Sequence, residues 1–146
     1  MATTKCSVDV VMAARVDTRR ERVLNEFGYF TAEQLADANC SRASDRHALA
    51  SNWKRRRRVF SVPLADSSGH LRQVFPRFQF ENGKPLAAVR TVVEAFGPDK
   101  DAWKLALWFA SNNGWLPGQA RPADLLQTLA GAVLQAAQRD GVPSDG

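Results

Sequence analysis

Between residues 13 and 27, apolar residues and arginines each recur with the 3.6-residue period of an amphipathic helix. The apolar positions fall on one face and the arginines on the other, and Gly28 ends the pattern. Thr31 then provides the N-terminal signal of a capping box with Gln34, three positions further on. The sequence therefore predicts two consecutive helices, of which the second covers about residues 32–38.

A polar break at residues 39–41 precedes a further helical pattern that extends to about Arg56. Ser41 or Ser44 is suited to cap this third helix, because a serine hydroxyl can accept a hydrogen bond from a free backbone N–H. Two short helices joined by a polar turn are typical of a helix-turn-helix. Five consecutive cations, residues 54–58, lie at the end of the third helix and directly after it. We call them the basic run.

After the basic run the pattern changes to that of strands. Residues 59–64 and 71–75 are short runs of β-branched and aromatic residues, and the turn-forming residues 66–69 separate them. The sequence thus predicts a β-hairpin directly after the helix-turn-helix, which is the layout of a winged helix. Pro63 and Pro76 lack a backbone N–H, so both strands are expected to be short and edge-like.

Helical patterns dominate the rest of the chain. Pro85 is a favourable first residue for a helix to about Ala95, and residues 103–110 are apolar on all sides, which predicts a central core helix. Pro122 is expected to begin the last helix. Its predicted inward positions are Leu125, Leu126, Leu129, Val133 and Leu134.

The predicted fold class is therefore mainly α with a small β-hairpin. A winged-helix-turn-helix-like part at residues 1–80 is expected to pack on a helical bundle at residues 81–138. Residues 139–146 have no evident packing partner and are predicted to form a flexible tail.

Positive charge is concentrated in the first predicted part. The chain has 146 residues and a formal net charge of +5. Residues 1–80 contain 14 Lys and Arg against 8 Asp and Glu, which gives +6, whereas residues 81–146 contain 6 against 7, which gives −1. This asymmetry indicates an anionic partner for the N-terminal part and a different role for the C-terminal part.

Enzymatic chemistry has little support in the sequence. His47 and His70 have no evident carboxylate or nucleophile partner, and the chain has neither a Gly-rich phosphate loop nor a metal-ligand spacing. Cys6 and Cys40 fit no disulfide framework, and no apolar stretch approaches the roughly 20 residues that cross a membrane. We expect a cytoplasmic, non-enzymatic protein without cofactor, metal or membrane association.

Double-stranded DNA is the partner that the basic residues indicate. The third helix, the basic run and the hairpin turn carry side chains that reach phosphates and base edges, although a solvated helix face is the alternative. The candidate DNA-binding residues are Arg42, Arg46, Asn52, Lys54, Arg55, Arg56, Arg57, Arg58, His70 and Arg72. Because DNA-binding proteins usually match a palindrome by symmetry, we expect a homodimer.

Three motifs near the C-terminus carry a family resemblance: residues 102–109 with Trp108 and Phe109, residues 112–116 (Asn-Asn-Gly-Trp-Leu) and residues 121–126 (Arg-Pro-Ala-Asp-Leu-Leu). Together they resemble the toxin-binding domain shared by Xre-, MbcA- and ParS-type antitoxins. Residues 31–36, 53–55, 59–62 and 75–80 similarly look like the N-terminal part of certain bacterial antitoxin-like proteins.

The resemblance implies an antitoxin that neutralises a RES-type toxin, an enzyme class that consumes or transfers from NAD, and represses its own operon. It implies that partner-binding residues lie at Trp108, Asn112, Trp115, Leu116 and Arg121, and the turn position of Trp115 makes it the best anchor candidate. Core packing is the alternative for Trp108, and a helix start paired with a carboxylate is the alternative for Arg121.

Two other functions are compatible with the same sequence. One is a stand-alone transcriptional regulator whose C-terminal helices serve for dimerisation. The other is a protein-interaction module without a DNA role, which would be favoured if the C-terminal helices covered the basic surface.

Overall fold

A computed structural model describes residues 19–66 and 68–141 of the chain. The described fold is mainly helical with two small antiparallel sheets, which confirms that part of the predicted fold class. The first predicted helix is present as α1 at residues 19–27, and its predicted residues 13–18 lie outside the described part of the chain.

The remaining elements alternate between short strands and helices in the first half and are mostly helical in the second. In chain order they are β1 (Tyr29–Thr31), α2 (Ala32–Ala38), α3 (Ala48–Arg55), β2 (Val62–Ala65), β3 (Leu71–Pro76), β4 (Phe80–Glu81), β5 (Lys84–Pro85), α4 (Ala87–Phe96), α5 (Ala102–Ala110), α6 (Pro122–Leu125) and α7 (Ala130–Gly141). Single 3₁₀ turns lie at Arg77–Gln79 and Pro117–Gln119.

The capping box at the start of α2 is confirmed. The Thr31 hydroxyl accepts a hydrogen bond from the Gln34 backbone N–H at 3.1 Å, and the Gln34 side chain accepts one from the Thr31 N–H at 2.9 Å. Two of the free N–H groups at this helix start are therefore satisfied. Helix α2 covers Ala32–Ala38, as its sequence pattern predicts.

Helix α3 begins later than predicted. Neither Ser41 nor Ser44 caps it, and His47 occupies the N-cap position without a side-chain cap hydrogen bond. The preceding residues form turns instead, because the Asp45 carboxylate accepts a hydrogen bond from the His47 N–H at 2.9 Å. The His47 ring lies 3.4 Å from the Glu33 carboxylate, a partner that its place in the sequence did not reveal. The connection between α2 and α3 is consequently longer than the tight turn that the sequence suggests.

The predicted β2–β3 hairpin is confirmed, and a strand that the sequence did not reveal joins it. Strand β1 pairs with β3, so that the sheet order is β1-β3-β2. Phe30 lies opposite Phe75, and Val62 lies opposite Val74. Pro63 is on the edge strand β2, as expected for a residue without a backbone N–H. The prediction is wrong for β3, because this strand is central in the sheet and Pro76 at its end lies opposite Tyr29.

Two predictions for the C-terminal half are wrong in detail. Pro85 does not begin a helix but ends the two-residue strand β5, because Asn82 and Gly83 both have positive φ (54° and 78°) and form a tight hairpin turn. The last predicted helix is interrupted between α6 and α7. Leu129 lies in the interruption and is 45% exposed, so it is not an inward position.

Residues 139–141 of the predicted flexible tail form the last turn of α7. A Cβ atom at Gly141 would lie 2.9 Å from the Ala95 carbonyl oxygen, so this glycine allows α7 to approach the end of α4 closely. Residues 142–146 of the predicted tail lie outside the described part.

The largest apolar core contains residues from both predicted domains. Leu24, Phe60, Val62 and Val74 from the first 80 residues pack with residues of the C-terminal helices, which are Val89, Val92, Trp103, Leu105, Ala106, Phe109, Leu126, Val133 and Ala137. A second cluster joins α2, α3 and β3 through Leu35, Trp53 and Phe75. The two predicted parts therefore share one core.

Gln79 supplies the main buried polar contact in this core. Its side chain is completely buried; it accepts a hydrogen bond from the Phe60 N–H at 2.8 Å and donates one to the Phe60 carbonyl at 2.9 Å. A second donated bond reaches the Pro76 carbonyl at 3.2 Å. The amide thus takes the place of a strand partner for the backbone of Phe60, which lies before the start of β2.

We expect Gln79→Leu to lower the free energy of unfolding by about 2–5 kcal/mol, because the N–H and C=O of Phe60 would both lose their buried partner. The measurement is urea denaturation followed by circular dichroism. Gln127→Leu, at an exposed position, is the matched control and should change the value by less than about 0.5 kcal/mol. Equal effects of the two substitutions would contradict the role assigned to Gln79.

Candidate functional site

The basic run begins at the end of α3, which stops in a Schellman arrangement. The Arg58 N–H donates to the Trp53 carbonyl at 2.9 Å, and the Arg57 N–H donates to the Lys54 carbonyl at 2.9 Å. Arg57 has φ of 60°, the left-handed conformation that glycine usually provides at this position. An arginine in this conformation is less stable than a glycine by about 1 kcal/mol. The chain therefore has a cation at a position where the backbone conformation favours glycine.

Four cations of the basic run are exposed: Lys54, Arg55, Arg56 and Arg57. Arg58 is half-buried, and its guanidinium lies 5.9 Å from the centroid of the Trp53 ring. Trp53 and Phe60 on either side of the run are buried in the two apolar clusters. The run is therefore anchored at both ends and presents its charges to solvent.

The other candidate residues of the predicted helix-turn-helix differ in their availability. Arg42 is exposed, whereas Arg46 pairs with the Asp37 carboxylate and donates to the Ser41 carbonyl at 3.1 Å. Asn52 accepts a hydrogen bond from Arg55 at 3.1 Å. Arg46 thus stabilises the loop before α3, whereas none of the exposed cations at the other end of the helix forms an ion pair within the described residues.

His70 and Arg72 are exposed at the turn of the β2–β3 hairpin. The Asp66 carboxylate organises this turn by accepting hydrogen bonds from the N–H and hydroxyl of Ser68 and from the His70 N–H, at 2.7–3.0 Å. The Ser68 hydroxyl bond is the main reason that the pKa of Asp66 is below its usual value. The His70 ring lies 2.7 Å from the same hydroxyl, so its position is fixed by the turn.

The predicted partner-binding residues lie around the end of α5, but they are not equally accessible. Trp115 is 57% exposed, and Asn112 is exposed with its side-chain amide donating to the Gln119 carbonyl at 2.8 Å. Trp108 is half-buried against Phe96, whereas Leu116 is only 3% exposed. The burial of Leu116 favours a packing role, and Trp115 is the main exposed aromatic of this surface.

Asp140 joins these residues in a way that the sequence did not reveal. Its carboxylate accepts hydrogen bonds from the indole N–H groups of Trp108 at 2.7 Å and Trp115 at 3.1 Å, and from the Asn113 amide at 3.1 Å. The guanidinium of Arg139 lies 4.5 Å from the Trp115 ring centroid. The donors are 25 or more positions away in sequence, so no local pattern could have identified this contact.

Arg121 makes the helix-start and ion-pair contacts that were the alternative to partner binding. It occupies the N-cap of α6, binds the Asp124 carboxylate at 2.8 Å and pairs with Glu26 of α1. The carboxylates of Asp124 and Glu26 together raise the pKa of its guanidinium above the usual value. The Arg121 guanidinium also lies 4.7 Å from the centroid of the Phe27 ring, which is a further contact between α6 and α1.

Comparison with protein-family models, curated proteins and solved structures finds no match for this chain. The resemblance to antitoxins therefore stays a prediction that rests on the motifs themselves. Among residues 19–66 and 68–141, no helix is both long and apolar enough to cross a membrane, and no group of three or more His, Cys, Asp and Glu side chains is placed to hold a metal ion.

We expect Asp140→Ala to lower the free energy of unfolding by about 1–3 kcal/mol, because three donors lose a shared charged acceptor. Release of Trp115 and Trp108 should also increase the quenching of tryptophan fluorescence by iodide. Asp99→Ala removes an exposed carboxylate of the same part of the chain and should change neither measurement. Unchanged stability and quenching in Asp140→Ala would show that the contact contributes nothing.

Proposed function

We propose that this protein binds double-stranded DNA through a winged-helix arrangement. The observation that carries the proposal is the exposed basic run at the end of α3, immediately before a hairpin that pairs with β1. Because β1 leads directly into α2, the sheet fixes the hairpin beside the two helices, and the second apolar cluster packs both helices on it. A helix-turn-helix followed by such a hairpin is the layout of a winged helix.

In this proposal the two cationic regions have different contacts with DNA. Asn52 on α3 is a residue type that reads base edges, while the basic run and Arg72 on the hairpin contact phosphates. Phosphate contacts would provide most of the affinity and fix the orientation of the protein on the duplex. A homodimer matching a palindromic operator is part of the same proposal.

The exposure of the basic run also favours DNA binding over a pure protein-interaction module. That alternative would be supported if the C-terminal helices covered the cations, yet Lys54, Arg55, Arg56 and Arg57 are all exposed. Within the described residues, none of the four forms an ion pair with a carboxylate. They therefore remain available to an external anion.

A second candidate function adds a protein partner to DNA binding. The observation that favours it is the exposed Trp115, because a large aromatic side chain at the surface is the usual anchor of a protein interface. The proposed partner is the toxin that the antitoxin resemblance implies, with RES-type chemistry, and this protein would be its non-enzymatic inhibitor. Without such a partner, the proposal reduces to a stand-alone regulator.

We expect Arg55→Ala/Arg56→Ala to weaken binding to the upstream DNA of this gene and to unrelated duplexes alike, because phosphate contacts carry no sequence information. In fluorescence anisotropy, the slope of log K against log salt concentration should become shallower by about 1.8, which corresponds to two fewer neutralised phosphates.

The matched control is Lys84→Ala/Lys104→Ala, which removes two exposed cations from the C-terminal part. This variant should bind DNA nearly as well as the unaltered protein. If the two double variants have the same affinity and salt slope, the basic run is only a solvated junction and the DNA proposal is wrong.

For the second candidate, expression of the adjacent gene alone should be toxic, and co-expression with this protein should remove the toxicity. Trp115→Ala should lose this protection because the anchor side chain is gone, whereas Leu129→Ala, at another exposed large apolar residue of the C-terminal half, should retain it. Growth curves after induction provide the measurement. The absence of toxicity from either neighbouring gene would overturn the antitoxin function and leave the DNA proposal intact.

A further inference from the structure

A cleft of about 330 Å³ lies between the end of α3, the segment before β2 and the connection from α4 to α5. Its apolar lining includes Phe60, Val93 and Leu105. Three cations also line it: Lys54, Arg57 and Lys100. This volume is at the lower end of the range for small-molecule sites, which combine an apolar lining with a few polar groups that orient the ligand.

Lys54, Arg57 and Lys100 are the charged groups of the cleft. Ser61 and Gln73, which also line it, are hydrogen-bonded to each other at 2.7 Å. Within the described residues, Lys54, Arg57 and Lys100 form no ion pair with a carboxylate. Three like charges around an apolar lining repel one another, and an anion bound among them would relieve that repulsion.

Arg57 provides a second observation in favour of a ligand. It lines the cleft from the left-handed backbone position at the end of α3, a conformation that glycine adopts with less strain. Cys40, Asn82 and Gln119 share this conformation, so it supports a role for the Arg57 side chain only together with its place in the lining of the cleft.

We propose that the cleft binds a small organic anion, a carboxylate attached to a short apolar body. The carboxylate pairs with Arg57 and Lys100, which approach from the two predicted parts of the chain, and the apolar body lies against Val93 and Leu105. Arginine suits this role because its planar guanidinium can bind both oxygens of a carboxylate. The cleft would therefore select ligands that have both a carboxylate and a short apolar body.

The site has a consequence for DNA binding that rests on the proposed function. Lys54 and Arg57 line the cleft and also belong to the exposed basic run. A bound carboxylate neutralises part of the charge that would otherwise face phosphates, so the anion and DNA compete. The protein would then act as a regulator whose affinity for DNA falls when the anion is present.

Binding is tested first without DNA, by titrating hexanoate into the ¹⁵N-labelled full chain and following amide chemical shifts. We expect saturable shifts at Ser61, Gly97 and Ala102, which line the cleft. Hexan-1-ol, which has the same apolar body without the charge, should bind about tenfold more weakly, because it lacks the charge-assisted hydrogen bonds. Equal affinities for the two compounds, or shifts confined to other residues, would overturn the proposal.

Two variants separate the site from general effects of folding. Lys100→Gln and Arg57→Gly should each weaken hexanoate binding about tenfold. Arg57→Gly should at the same time raise the melting temperature, because it relieves the left-handed backbone, so that weaker binding cannot be attributed to misfolding. Arg90→Gln, on the exposed face of α4, should leave the affinity unchanged. Undiminished binding in both cleft variants would overturn the site.

Competition is then tested by measuring DNA affinity with and without saturating hexanoate, at constant ionic strength. Weaker DNA binding in the unaltered protein, but not in Arg57→Gly, is the expected result. If hexanoate binds while no DNA binding is detected at any salt concentration, the ligand site stands and the proposed function fails. If DNA binds and hexanoate does not, the site fails and the proposed function stands.

Discussion

The buried amide of Gln79 is the contact on which the arrangement of the two halves most depends. After the basic run, the chain enters the core at Phe60, two residues before β2 begins. The N–H and C=O of Phe60 therefore have no partner in the sheet. Gln79 satisfies both groups from the turn after β3. Without it, the core would bury two unpaired backbone groups at the point where N-terminal and C-terminal elements meet.

The exposure of the basic run follows from this anchoring. Phe60 is held by its backbone, and its ring stacks on Phe109 of α5 with centroids 5.8 Å apart and planes within 8° of each other. Trp53 is fixed at the other end by the cluster that contains Phe80. With both apolar ends buried, four of the five cations between them are exposed, and water and any bound anion screen their mutual repulsion.

The sequence predicts those features of the fold that depend on near neighbours. The capping box of Thr31, the hairpin turn after Asp66 and the helix stop at Gly28 were recognisable because the interacting groups lie within a few residues of each other. Strand β1 has only three residues and no periodicity of its own. The late start of α3 results from competing turn contacts at Asp45, which resemble helix caps in sequence.

In the candidate sites, too, features that depend on near neighbours in sequence were predictable and contacts between distant residues were not. Exposed cations can be recognised from composition and order along the chain, whereas Gln79 and Asp140 act on residues that are 19 or more positions away. The cleft likewise exists only because Lys100 is brought close to Lys54 and Arg57 by tertiary packing. Such juxtapositions depend on the shared core and leave no periodic signal in the sequence.

That shared core also determines how the two surfaces can influence each other. Phe60 contacts Phe109, Phe109 contacts Trp108 at 5.1 Å, and Trp108 donates to Asp140, so the basic run and the Trp115 surface are joined through packed side chains. Contiguous packing transmits a signal only if one of its elements has two alternative arrangements. The path contains buried rings and satisfied hydrogen bonds, which favour a single arrangement. In the proposed function, a partner bound at Trp115 would therefore alter DNA binding by occlusion or by added valency, whereas a ligand in the cleft would act directly on the charges of the basic run.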